Sequence, residues 1–173
     1  MIRLARQKVP EAAFRVAPLT EARLPRCDAV LAIGEVLSYV PATGQGSGPG
    51  PAIRKFFSRV HEALGPGGVF LFDFIESGVT RTYPTKIHSG DGWVIAVHAE
   101  LDKAGQILTR RIVTIRKVGR QYRRSQEIHR QRVYSRRAVA KALADAGFTA
   151  GMSRSYGRCR LLAGDVAVVA TKA

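Results

Sequence analysis

Acid and cysteine are what this chain has least of. Only 13 of its 173 residues are Asp or Glu, against 28 Lys and Arg, which leaves a net charge of +15. Its two cysteines, Cys27 and Cys159, lie far apart. They exclude a disulfide framework and a Cys-x-x-Cys metal or redox site, and a reduced, cytoplasmic protein is the default reading. No apolar run approaches the roughly 18 residues that span a bilayer, so no membrane partner is expected. The opening Met1-Ile-Arg-Leu-Ala-Arg-Gln-Lys8 has no apolar h-region and no cleavage site, unlike a secretory signal. His88 and His98 have no partners at metal-ligand spacing, and no metal site is expected. No internal repeat is visible. With 46% hydrophobic and 24% charged residues, the chain has enough apolar material for one folded domain over residues 1–173.

The basic excess is uneven. Residues 1–86 carry a net +4 and residues 87–173 a net +11. The densest stretch is 110–137, with ten Arg, one Lys and a single acid, Glu127. Such a stripe is either the solvated face of a strand pair or an electrostatic footprint for nucleic acid. A single-strand binder would interleave aromatic platforms with its cations, and only Tyr122 and Tyr134 flank this run. Any such binding is expected to be non-specific and to fade steeply with salt.

Periodicity sets the order of elements. Ile2, Ala5 and Val9 share one face of a short helix over 2–8, which begins without an N-cap and is closed by Pro10. Residues 13–17 alternate and are predicted as a strand. Cys27 to Ile33 is a short apolar run suited to a buried parallel strand. The segment 41–51, with four glycines and three prolines, is a loop; it lacks the Lys-Ser/Thr of a phosphate-binding loop. Pro51 opens a helix whose buried face is Ile53, Phe56, Phe57, Val60 and Leu64, and Gly65-Pro-Gly-Gly68 stops it before a strand at 69–74. From Trp93 the pattern becomes an antiparallel ribbon, with strands at 93–101, 107–118 and 122–134; Trp93, Ile95, Val97, Ala99 and Leu101 form an apolar face on which Trp93 is a core residue. Ser135 caps a helix over 136–146, and strands at 148–156 and 165–171 end the chain.

Three stretches of this order are similar to class I S-adenosylmethionine (SAM) dependent methyltransferases of the small-molecule type. Cys27-Asp-Ala-Val-Leu-Ala-Ile-Gly-Glu-Val-Leu-Ser-Tyr-Val40 resembles the family's fourth strand and the turn that opens to the cofactor. Ile53 to Phe74, through Leu64-Gly-Pro-Gly-Gly68, resembles its next helix, turn and fifth strand. Glu127-x-His129-x-x-Arg132-x-Tyr134 before a helix resembles a subgroup with an inserted ribbon. The resemblance implies an α/β fold: a Rossmann-like methyltransferase sheet with an antiparallel β-ribbon inserted at about 91–134. It also implies SAM as cofactor and a small molecule as methyl acceptor. Nothing here matches the family's Gly-x-Gly-x-Gly loop or its ribose-binding acid, so the sheet is expected to be truncated, lacking the first strand, helix and second strand of an order 3-2-1-4-5-7-6. Strand 13–17 then either slides beside 28–33 or leaves an open edge through which the chain self-associates.

By that resemblance, Ala17, Pro18 and Leu19 lie near the adenine, and Ile33, Gly34 and Glu35 line the cofactor pocket at the carboxyl edge of the sheet. Tyr39 packs over the cofactor or fills a loop. Glu35 orients the acceptor's amine or hydroxyl, or is a solvated acid. Asp73 faces the substrate or caps a turn. Along the ribbon, Glu127 and His129 share one face and Arg132 the other. His129 is a candidate proton acceptor and Arg132 a candidate carboxylate ligand, with a plain polar surface as the alternative.

A first expectation follows from the absent glycine loop. The 173-residue chain should bind SAM weakly or not at all. Calorimetric titration measures this, and micromolar affinity would overturn it.

Overall fold

Residues 2–39, 48–78 and 84–173 are described by the computed structural model. Most of the glycine-rich 41–51 stretch lies outside them. The short first helix forms as expected (α1, Ile2–Lys8), with none of its residues buried. Residues 13–17 do not form a strand. They run as irregular chain with Val16 84% exposed, because no neighbouring strand offers them backbone partners. Nor do they slide beside the next element.

That element is β1 (Cys27–Ala32), followed by a single 3-10 turn over Val36–Tyr39, α2 (Pro51–Ala63) and β2 (Leu64–Ile75). β1 and β2 pair in parallel, from Ala29 opposite Val69 to Ala32 opposite Phe72. The expected helix face on α2 is buried in full: Ile53, Phe56, Phe57 and Val60 are at most 3% exposed. It packs on Phe70, Phe72 and Phe74, which alternate along β2 and are likewise buried. The Phe57 and Phe72 rings sit 5.5 Å apart and the Phe56 and Phe70 rings 6.1 Å apart in an edge-to-face contact.

The ribbon has four strands rather than three. β3 (Lys86–Gly90) precedes β4 (Trp93–Leu101), β5 (Ile107–Val118) and β6 (Gln121–Arg132), all antiparallel in sequence order. Sequence reading missed β3 because it has no apolar alternation. Trp93 is 40% exposed and not a core residue, since it stands at the far end of the ribbon. Then come α3 (Arg136–Asp145), β7 (Phe148–Ser153), a small hairpin of β8 (Ser155–Tyr156) and β9 (Cys159–Arg160), and β10 (Asp165–Lys172). The expected strand at 148–156 is thus broken after Ser153 by the hairpin, and Cys159 is exposed on it.

The main sheet has the order β1-β2-β10-β7, with β10 antiparallel to both its neighbours. This is the 4-5-7-6 half of the expected Rossmann-like order. α2 and α3 cover one face; on the other, Leu31 and Val169 are 62% and 44% exposed. Among the described residues β1 has a neighbour on one side only.

The ribbon is fastened to the end of β2. Tyr134 N–H donates to the Ile75 carbonyl at 2.8 Å and Ser77 N–H to the Tyr134 carbonyl at 2.9 Å. Ile75, Leu108 and Val133 form a small core there, all at most 1% exposed. The Tyr134 hydroxyl donates to the Leu37 carbonyl at 3.2 Å, and burial pushes the phenol up to about 12. Ser135 caps α3 as expected, its hydroxyl accepting from the Ala138 N–H at 3.1 Å. Ser135→Ala should therefore cost about 1 kcal/mol in urea denaturation, and Ser135→Asp should recover most of it.

Candidate active site

The carboxyl ends of β1 and β2 meet at a tight backbone feature. Gly34 and Glu35 both have positive φ, +90° and +59°. For Glu35 this left-handed conformation costs about 1–2 kcal/mol. Their consecutive N–H groups point at one carboxylate: Asp73 accepts from Gly34 N–H at 3.1 Å and, more closely, from Glu35 N–H. Successive N–H groups in such a turn form a small anion nest, and here a protein side chain fills it. Asp73 is 4% exposed. Burial and the Asp73 carboxylate together push the Tyr156 phenol above its ordinary value.

The turn aims the Glu35 side chain at the ribbon. Its two oxygens accept a bidentate pair from Arg110 at 2.6 and 2.9 Å, and Oε2 also accepts from the Gln131 amide at 2.7 Å. Burial works against the Arg110 charge, and the Glu35 hydrogen bonds and charge overcome it, holding the guanidinium above its usual range. Residues directly opposite in antiparallel strands share a face. The rows Leu101–Leu108–Gln131, Ala99–Arg110–His129 and Val97–Ile112–Glu127 therefore present Gln131, Arg110, His129 and Glu127 on one side. That side is the Trp93 face, and it turns toward β1 and its following turn.

His129 sits between two partners. Its Nδ1 is 3.1 Å from the Tyr39 hydroxyl, and its Nε2 is 3.0 Å from Glu127 Oε2. The tautomer that satisfies both takes a hydrogen bond from Tyr39 at Nδ1 and donates from Nε2 to Glu127. The Tyr39 and His129 rings meet edge-on at 5.7 Å. Tyr39 is 44% exposed on its outer side. Burial raises its phenol, Arg110 opposes this and Glu35 adds to it, so Tyr39 is a neutral donor at physiological pH.

The structure thus gathers Gly34, Glu35, Tyr39, Asp73, Glu127 and His129 from the turn after β1, from β2 and from β6. Ile33 lies beside them, 49% exposed. Four other named positions are not drawn in. Ala17, Pro18 and Leu19 belong to the irregular segment tied at the Thr20 carbonyl to Arg59, in the second half of α2. Arg132 is 6% exposed and leaves β6 on the side opposite His129. Arg110 and Gln131 are the residues that sequence reading passed over. Arg110 was counted only as charge in the basic run; its place in the row with His129 needed the β5–β6 register.

One buried polar atom at this edge has no hydrogen-bond partner among the described residues, the Gln131 amide oxygen. Gly34 has no side chain, and nothing lies within 4 Å of where a Cβ would stand. A glycine opening beside a buried polar atom suits a polar organic cofactor lying on the carboxyl edge of the sheet.

No protein-family profile and no curated protein matches the sequence. Solved structures do. A SAM-dependent methyltransferase from Clostridium acetobutylicum superposes with a TM-score of 0.80 at 15% identity, over 99% of this chain and 70% of that one. The fold is that of the class I SAM-dependent methyltransferases. DesVI from Streptomyces venezuelae is similar with a TM-score of 0.78 at 17% identity. CalS10 from Micromonospora echinaspora, an amino pentose methyltransferase solved with SAM, gives 0.76 at 16%. The chain covers 70% of the length of each of these two as well.

Asp73→Ala should destabilise the protein by about 1–3 kcal/mol, since it removes the charged acceptor of two part-buried backbone donors. Asp73→Asn keeps an acceptor oxygen and should lose less. Chemical denaturation of both variants checks the order; equal losses would show that the carboxylate does not hold the turn.

Proposed function

We propose that this protein takes part in SAM-dependent methyl transfer to the amine or hydroxyl of a small molecule. The observation that carries the reading is the Tyr39–His129–Glu127 chain of contacts beside the Gly34 opening, on a methyltransferase fold. Structural neighbours that act on an amino pentose and on sugar nitrogen favour an amine acceptor.

When bound, SAM supplies an electrophilic methyl group on a sulfonium sulfur. Ile33, Gly34 and Glu35 would hold it, Gly34 by letting the backbone approach. The chain's own task is to align the acceptor and take its proton. Tyr39 presents a neutral hydroxyl at the mouth of the site. As it receives the acceptor's proton, its own passes to His129 Nδ1, and Glu127 steadies the resulting imidazolium through Nε2. Glu35, with both oxygens engaged by Arg110 and Gln131, acts by position and not as a base. Asp73 likewise serves the turn and not the substrate. Enclosed Arg132 has no part in this reading.

The test is methylation of amino sugars with labelled SAM, on the longest in-frame form the gene encodes. His129→Ala and Tyr39→Phe should each lower kcat by at least about tenfold, within the range that a positioned acid or base contributes. If both variants stay within about twofold of the parent, roughly 0.4 kcal/mol, the ribbon is scaffold and the proton leaves elsewhere.

A further inference from the structure

Apart from its end at the sheet, where Arg132 is buried, the ribbon's outer face, opposite His129, is open to solvent over most of its length. Cross-strand pairing places Ser89, Val94, Ile115 and Arg124 in one row and Lys117 beside Tyr122 in the next. The apolar members are open to solvent: Ile87 is 69% exposed, Tyr122 68%, Val94 39% and Ile115 38%. Lys117, Arg124 and Arg130 stand among them, with Arg120 at the β5–β6 turn. None of these four cations forms an ion pair among the described residues. The acids near this face are few. Glu100 is taken by Arg111 at 3.1 Å, and Asp91 lies in the β3–β4 turn.

We propose that this outer face is a docking surface for an anionic lipid membrane. The charge argument excludes a second copy of the chain, which would bring the same unpaired cations face to face. It admits any polyanion, and the apolar residues decide among them. Ile87, Val94 and Ile115 gain nothing against a phosphate backbone, and Tyr122 and His98 are the only rings on this face among the described residues, too few for a run of base-stacking platforms. Against a bilayer each group has a place. The cations meet anionic headgroups, the aliphatic side chains enter the acyl boundary, and Tyr122 sits at the interfacial level that amphipathic rings favour. Peripheral contact of this kind needs no spanning segment. It also leaves the opposite face, with Tyr39 and His129, turned to solvent.

The 173-residue chain itself is the test material, because no catalytic activity is needed. Co-sedimentation compares vesicles of phosphatidylcholine alone with vesicles containing phosphatidylserine, at physiological salt, with duplex and single-stranded DNA as competitors. Binding to the anionic vesicles should exceed binding to the neutral ones by at least about tenfold, as a polybasic surface with four contributing cations requires. The double change Lys117→Gln and Arg124→Gln should lower it several-fold. Ile87→Ser with Ile115→Ser, checked for unchanged circular dichroism, should also lower vesicle binding while leaving retention on heparin as before. Vesicle binding that ignores the isoleucine changes, or that DNA displaces at lower concentration than it binds lipid, overturns the proposal in favour of a general polyanion or nucleic-acid surface. Absence of binding to either kind of vesicle overturns it outright.

Discussion

One carboxylate holds the arrangement together. Asp73 accepts the N–H groups of Gly34 and Glu35, and without that acceptor the two left-handed residues would lose the group that holds them in place. Because the turn is fixed, Glu35 leaves it in one direction, toward Arg110 and Gln131. The bidentate contact with Arg110 then joins the α/β sheet to the ribbon across 75 residues of sequence. A partly buried ion pair of this kind adds little net stability, because desolvation offsets much of the Coulomb gain. Its value is in register: it matches one position of β5 to one position of the β1 turn. The strain at Glu35 persists because Asp73 on one side and Arg110 on the other over-determine it.

Register is also what assembles the Tyr39–His129–Glu127 contacts. A strand slipped by one residue would turn His129 and Glu127 to the outer face and bring Ile128 and Arg130 inward. Pairing along the full length of β5 and β6 prevents this, and the small core of Ile75, Leu108 and Val133 fixes where the ribbon meets the sheet. The outer face is under no such constraint from the site, and it combines open aliphatic residues with cations that form no ion pair among the described residues.

Much of the fold was legible because it follows from local pattern. The α2 face, the Ser135 cap and the apolar alternation of β2 are statements about period and end chemistry, and each is met by burial or a hydrogen bond. Residues 13–17 show the limit of the same reasoning. Their alternation is that of a strand, yet a strand is a relation between two segments, and here the second is absent from their side. β3 failed in the opposite sense: Lys86–Gly90 has no strand pattern and is a strand because Val94 to Val97 are there to pair with it. In the site, Glu35, Asp73 and His129 were legible as polar residues next to strand ends. Their partners were not, since Arg110 and Gln131 are chosen by cross-strand register, which a single sequence does not display.

The same distinction explains how sequence identity near 15% coexists with a TM-score of 0.80. Burial needs only apolar residues of suitable size along α2 and β2, and many sequences meet that condition. The proposed proton path needs three polar groups linked through His129 by contacts of about 3 Å, and they come from a turn after β1 and from β6. The ribbon supplies two of the three. Its docking therefore governs chemistry more directly than the core does. A change that loosens Leu108 or Val133 would separate Tyr39 from His129 while leaving the packing of α2 on β2 intact, and activity would fall before stability did.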